Sequence, residues 1–279
     1  EELGKEKAVS KDKYEKIRKM LIEAKLHILD ECHTATTNTI SEIYKNIDPE
    51  YIYGLSGTPY REDGSDLLVN SILGEKIVEI SASELIEKGV LAQPIIKFIS
   101  VPKNSLNGEN YQTVYEEYVV ENEFRNNLIL KSLKDLLSKK YVPIVLFKRI
   151  KHGEILSEIF KKEKLKFAML SGKNSLEERE EIKRQLINKE IDFILGSNIF
   201  SIGVDIPMLS GLILAAPNKG IVLGLQRIGR VIRKYPGKKF AAIVDFYDQT
   251  KYLKQHSKLR SKIYETESGF KIIKCKEMK

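Results

Sequence analysis

The chain has no tryptophan, only four histidines and only two cysteines in 279 residues. Cys32 and Cys275 cannot make a disulfide framework or a cysteine-rich zinc cluster, and this usage fits a reducing compartment. No apolar run approaches the roughly 20 residues that a membrane-spanning helix needs. The opening Glu1-Glu2-Leu3-Gly4 is acidic and polar, unlike a secretory leader. There is no internal repeat and no low-complexity tract. What is present is a hydrophobic fraction of 42%, enough for two separate cores at this length. Lys and Arg number 47 against 39 Asp and Glu, and the formal charge of +8 favours a polyanionic partner.

Strand-like and helix-like stretches alternate, the pattern of parallel sheets covered on both faces. Residues 1–19 form a charge-rich, helix-like solvated segment. Residues 26–29 and 51–55 read as buried strands flanking a helix at 39–46, and 83–89 as a short helix stopped by Gly89 before an extended stretch at 94–101. The turn-rich run Pro102-Lys103-Asn104-Ser105-Leu106-Asn107-Gly108-Glu109-Asn110 lacks periodicity. The expected organisation is therefore 1–101 as the C-terminal part of a first lobe, 102–124 as a connection, and 125–279 as a second lobe with a basic tail. In that lobe, helices at 126–139, 153–160 and 223–233 alternate with strands at 144–147, 167–170, 193–196, 212–215 and 241–245. A further helix starts at Ser175-Leu176-Glu177-Glu178, a capping box.

Polar motifs sit where these strands end. A carboxylate at a strand's C-terminal edge suits Mg²⁺ held through its water shell, which makes Asp30 the metal candidate and Glu31 the base that aligns an attacking water. Cys32 fits a packing role, because no base and orienting group accompany it. His33 either bonds across to the next strand end or is a structural histidine. That next strand end carries Ser56-Gly57-Thr58-Pro59, whose Ser56 and Thr58 hydroxyls suit coupling between a metal pocket and a nucleic-acid groove. Arg61, Glu62 and Asp63 are either a DNA-handling element or a charged loop.

Downstream, Phe147, Lys148 and Arg149 combine a stacking face with two cations, suited to tracking a strand, unless they merely end one. Ser197 and Ser201 offer hydroxyls to a phosphate, and Gly203 admits close backbone approach. Gln226, Arg230 and Arg233 are spaced to share one helix face, and such arginines stabilise charge on a transferring phosphoryl group. Gly229 before Arg230 suggests close packing there. Lysines 271, 274, 276 and 279 form a tail that either contacts phosphates or is a solvated end.

In this order the motifs resemble those of superfamily 2 helicases and translocases across nearly the whole chain. Asp30-Glu31-Cys32-His33 resembles motif II and Ser56-Gly57-Thr58-Pro59 motif III. Residues 144–149 resemble motif IV, 197–207 motif V and 226–233 motif VI. Arg61-Glu62-Asp63 is similar to the RED element of the XPB-like branch. The Asp-Glu-Cys-His spelling with Gly54-Leu55-Ser56-Gly57 is similar to UvsW-type phage branch-migration helicases. The resemblance implies an α/β fold of two RecA-like lobes, with ATP and Mg²⁺ as cofactors and Asp205 on the nucleotide ribose alongside Gly203. It also implies DNA, duplex, forked or branched, as partner, and the cytoplasm of a bacterial cell or phage-infected host as location.

A phosphate loop needs Gly-x-x-x-x-Gly-Lys-Ser/Thr, and the chain has none. In the nearest candidate, Ser171-Gly172-Lys173-Asn174, Phe167 replaces the first glycine and Asn174 the hydroxyl. Family order therefore implies a first lobe truncated at its N-terminus, with the loop upstream, so that this segment alone hydrolyses no ATP. Two other readings stay open: the translocase segment of a restriction system, and a nucleic-acid-binding module without ATPase activity.

Overall fold

A computed structural model describes residues 2–57, 66–103, 110–172, 174–197, 206–217 and 221–275. The chain divides into two compact units, Glu1–Glu79 and Ile80–Lys279.

The first unit opens with helix α1 (Glu2–Glu23), followed by strand β1 (Leu26–Asp30), a 3₁₀ turn (Cys32–Thr36), α2 (Asn38–Lys45), β2 (Tyr51–Leu55) and α3 (Asp66–Leu73). Strands β1 and β2 pair in parallel, Leu26 opposite Tyr51 through Asp30 opposite Leu55, so both strands end together. Strand periodicity splits their side chains between two faces. Buried His27 packs edge-on to Tyr44 and bonds the Leu21 carbonyl oxygen at 2.9 Å. Leu26, Ile28, Tyr51, Tyr53 and Leu55 lie on the other face and stay exposed, an apolar surface over a strand pair.

The second unit comprises α4 (Ala82–Glu87), β3 (Gln93–Val101), α5 (Tyr111–Tyr115), a π-helical turn (Glu116–Val120), α6 (Glu123–Ser138), β4 (Pro143–Phe147), α7 (Ile150–Lys162), β5 (Phe167–Leu170), α8 (Leu176–Ile187), β6 (Phe193–Ser197), β7 (Gly211–Leu214), α9 (Ile221–Val231), β8 (Phe240–Asp248), α10 (Leu253–Thr266) and β9 (Lys271–Cys275). The seven strands form one parallel sheet in the order β5-β6-β4-β7-β8-β3-β9. One face is covered by α8, α9 and α10 through Ile182, Leu186, Ile228, Val231 and Tyr264, and the other by α6 and α7 through Ile129, Leu133, Leu156 and Phe160. Because both faces are covered, the central strands are near-continuous apolar runs, as in buried β4. The capping box at Ser175 is formed, with Ser175 Oγ accepting from the Glu178 amide and Glu178 accepting from the Ser175 amide.

The structure departs from the sequence expectation at the join. Strand β3 is not part of the first lobe: its full length pairs with β8, so the division falls between Glu79 and Ile80 rather than after residue 101. Residues 111–120 are not an open connection either, since Val114, Tyr115, Tyr118, Val119 and Val120 are buried with Leu253 in a cluster of their own. Lys271 and Lys274, expected in a tail, lie in β9 beside β3, and Lys274 pairs with Glu265 at 2.7 Å.

Fully buried His152 on α7 donates from Nε2 to Asn126 Oδ1 of α6 at 2.9 Å, and burial, with Arg125 second, pushes its pKa down from 6.5 to about 3. The unfolded chain protonates this imidazole below about pH 6.5, whereas the folded chain does not until about pH 3. Its contribution is complete above the unfolded pKa and is lost as pH falls. Between pH 6.5 and 4.5 the loss is expected to be about 2 kcal/mol. Urea unfolding of His152→Gln should show a smaller loss over that interval; an identical loss would contradict this assignment.

Candidate nucleotide and nucleic-acid sites

In the first unit, the parallel register brings Asp30 and Leu55 level, and the turns after them carry motifs II and III. Glu31 adopts φ 51° and ψ 51°, a left-handed conformation that costs a side-chain-bearing residue roughly 1–2 kcal/mol. Its amide donates to Asp30 Oδ1 at 2.9 Å, and its carbonyl accepts from Thr34 Oγ1 at 2.9 Å. The strained turn keeps both carboxylates exposed while directing Glu31 back to His33, whose Nδ1 lies 3.3 Å from Glu31 Oε2. The same nitrogen lies 3.3 Å from Ser56 Oγ. Thus Glu31, His33 and Ser56 form a connected set across two strand ends. Cys32 is buried, and burial raises its thiol pKa, consistent with packing rather than nucleophilic chemistry. Gly54 permits this packing, because a Cβ there would meet Leu73 at 2.6 Å and Cys32 at 2.8 Å.

Among the described residues no cluster of His, Cys, Asp or Glu could form a metal cage. A single exposed carboxylate at Asp30 does fit Mg²⁺, which keeps most of its waters and is held by one or two carboxylates together with substrate phosphates.

In the second unit, Ser197 sits level with Phe147 at the C-terminal edge of the sheet, so the ends of motif IV and the start of motif V adjoin. Phe147 must be corrected as a stacking residue. It is 2% exposed, and its ring fills the space above Gly153, where a Cβ would lie 2.5 Å from it. The cations after it remain at the surface but are engaged. The Arg149 guanidinium lies 4.9 Å from the Tyr115 ring centroid and pairs with Glu116 and Gln112. Exposed Lys148 lies 6.0 Å from the same ring. Lys151 pairs with Glu116 at 2.9 Å, and Lys151, then Arg149, holds the Glu116 carboxyl below its usual range. Sequence reading missed this acid, because only the fold brings the π-helical turn against motif IV.

In motif VI, Gln226 and Arg230 are half-buried on α9, one turn apart. Arg233 is not on the helix, which ends at Val231. Its backbone forms an antiparallel bridge with Leu91, and Ala92 N–H donates to the Ile232 carbonyl at 2.8 Å. Lys238 Nζ donates to the carbonyls of Val231, Pro207 and Leu209 at 3.1, 2.6 and 2.9 Å, tying the exit of motif V to the end of α9. Arg233 therefore owes its position to backbone pairing, not to helical spacing. Gly229 has open space where a Cβ would stand, so no close packing requires it. Arg227 is buried, and burial lowers its guanidinium pKa against the opposing effects of Tyr115, Tyr264 and Asp245. Thr58, Arg61, Ser201, Gly203 and Asp205 lie outside the described residues.

Parallel α/β architecture with an acidic strand-end motif in one unit and a basic helix in the other defines RecA-like helicase lobes. Residues 128–235 match the helicase conserved C-terminal domain. The second unit therefore carries a helicase C-terminal domain, and the chain as a whole is similar to superfamily 2 helicases. It is 30% identical over 226 residues to the ATP-dependent DNA helicase uvsW of Enterobacteria phage T4, spanning 78% of this chain and 45% of that protein. It is 29% identical over 265 residues to putative helicase 22 of a Sulfolobus islandicus filamentous virus, spanning 89% of this chain and 47% of the relative. The chain thus spans about half the length of these curated relatives. The crystal structure of T4 UvsW matches with a TM-score of 0.56 at 26% identity, covering 94% of this chain and 55% of that one. A fragment of a putative HsdR subunit of a type I restriction enzyme from Vibrio vulnificus matches in fold alone, with a TM-score of 0.67 at 19% identity over 92% of this chain and 50% of that one. No helix among the described residues is long and apolar enough to cross a membrane.

Proposed function

We propose that this chain carries motifs II to VI of an ATP-dependent DNA helicase or translocase acting on duplex, forked or branched DNA. The observation that carries this reading is the Glu31–His33–Ser56 set, with His33 at 3.3 Å from both partners. A binding module has no use for a strained acidic turn wired to a neighbouring strand end. Mg²⁺, when bound with nucleotide, neutralises phosphate charge. Asp30 orients its water shell, and Glu31 aligns the attacking water and accepts its proton. Arg230 and Arg233 stabilise charge on the transferring phosphoryl group, with Gln226 beside them and Gly203 and Asp205 on the nucleotide. His33 and Ser56, with Thr58, pass the state of the phosphate toward the nucleic-acid contacts. Ser197, Ser201, Lys148, Arg149 and Arg61 hold the strand by its phosphates, which reads no sequence. This chemistry also needs a phosphate loop, and no such motif occurs in these 279 residues.

The test is ATP hydrolysis by the chain joined to an upstream segment bearing that loop, with single-stranded, duplex and branched DNA as activators. Hydrolysis stimulated by DNA is expected, strongest with the favoured DNA shape. Absence of hydrolysis with every DNA would overturn the reading.

A further inference from the structure

Helix α10 was not anticipated from the sequence, and its two faces differ sharply. Leu253, Ser257, Arg260, Ser261 and Tyr264 are buried. Lys254, Lys258 and Lys262, at successive intervals of four, are all exposed and share the opposite face. Among the described residues none of these three makes an ion pair, whereas basic residues on other helices of the unit do. Lys139 pairs with Asp135, Lys161 with Glu158, Lys183 with Glu180 and Arg184 with Glu181, each within 4 Å. Glu265 on the same helix is held by Lys274 at 2.7 Å and feels Lys262 only as a lesser, through-space charge. Like charges at this spacing destabilise a helix by a few tenths of a kcal/mol per pair. A row of ammonium groups that makes no ion pair among the described residues therefore costs stability with little internal contact in return.

We infer that the exposed face of α10 is a docking surface for the phosphate backbone of duplex nucleic acid, separate from the motif IV and V contacts. This rests on the nucleic-acid reading above and adds a second contact to it. The row spans about 12 Å at the helical rise, a length over which a duplex presents about seven backbone charges. The ammonium groups are free to move on flexible stems, which suits contact with phosphates of any sequence. Each phosphate neutralised releases counterions, so the row should be visible in the salt dependence of binding. Because all three side chains point away from the core, their replacement leaves the packing of α10 intact.

The experiment uses the 279-residue chain and a fluorescent mixed-sequence duplex, with binding followed by anisotropy over a sodium chloride series. The triple variant Lys254→Glu, Lys258→Glu, Lys262→Glu should lose affinity, with a logarithmic salt slope smaller by about two to three. Arginine at the same three positions should preserve both. An unchanged slope in the glutamate variant overturns the proposal. So does a variant that loses binding to phosphatidylserine vesicles but not to duplex, which would make the row a membrane surface. If Lys148→Ala with Arg149→Ala weakens duplex binding while the glutamate variant does not, the α10 surface fails and the function proposed above stands. Absence of DNA-stimulated hydrolysis in the loop-bearing protein, by contrast, sinks that function whatever α10 does.

Discussion

Arg233→Ala, placed in a version of the chain that hydrolyses ATP, is expected to lower turnover by a factor of about 10³ to 10⁵, the range measured when a phosphoryl-transfer enzyme loses a charge-stabilising arginine. DNA affinity should be unchanged, because the Ser197 hydroxyl and the Lys148 and Arg149 cations proposed to hold the strand lie at the ends of β4 and β6. The structure sharpens this expectation. Arg233 stands beyond the end of α9 and is exposed, and the Leu91 bridge is made by backbone that truncation leaves in place. The variant should therefore keep its fold, with a loss of stability smaller than that of a buried arginine. Arg227→Ala is the instructive contrast, since that side chain is 5% exposed and its loss should be felt as stability. Turnover unaffected by Arg233→Ala would remove it from the reaction.

The largest expected effect on stability belongs to Asp245. This carboxylate, 1% exposed on β8, accepts from Arg260 Nε at 2.8 Å, Arg260 Nη2 at 3.1 Å, Tyr264 Oη at 2.8 Å and the Phe246 amide at 2.7 Å. Burial and the Asp245 charge beside it raise the Tyr264 pKa well above its ordinary value, so the phenol is the donor. Asp245→Ala leaves the Arg260 guanidinium buried without its counter-charge, and the cost should be about 3–5 kcal/mol. The measurement is the shift in urea midpoint at constant slope. Combining Asp245→Leu with Arg260→Met should recover much of the loss, because a buried ion pair replaced by apolar residues of similar volume is often neutral. A single variant as stable as the wild type would mean that the pair contributes nothing to holding α10 on the sheet.

Much of the architecture was legible because its signals are local. β2 at Tyr51–Leu55 and β5 at Phe167–Leu170 begin and end where the apolar runs do, and the Ser175 capping box depends on four consecutive residues. The expectations that failed each depended on which distant segments meet. Turn residues at 102–110 suggested a lobe boundary, but β3 before them pairs with β8, almost 150 residues later in sequence. Phe147 has the composition of a stacking platform, yet Gly153, one turn into the next helix, admits its ring to the core. The spacing of Gln226, Arg230 and Arg233 suits one helix face, yet competing carbonyl partners at Ala92 and Lys238 end the helix before Arg233. α10 is not legible as amphipathic because its buried face carries Arg260 and two serines, whose polarity is satisfied by Asp245, the β8 backbone and, for Ser261, Glu265.

From its sequence alone this protein is an α/β chain bearing helicase motifs in family order, since strand and helix periods and strand-end chemistry are written within a few residues. Tertiary structure alone decided that Glu31, His33 and Ser56 touch, that Glu116 occupies Arg149 and Lys151, and that three lysines of one helix stand exposed while its other face is buried. Those outcomes turn on Coulomb and hydrogen-bond partners and on burial that the fold brings about, and no local pattern encodes a partner in another element tens of residues away.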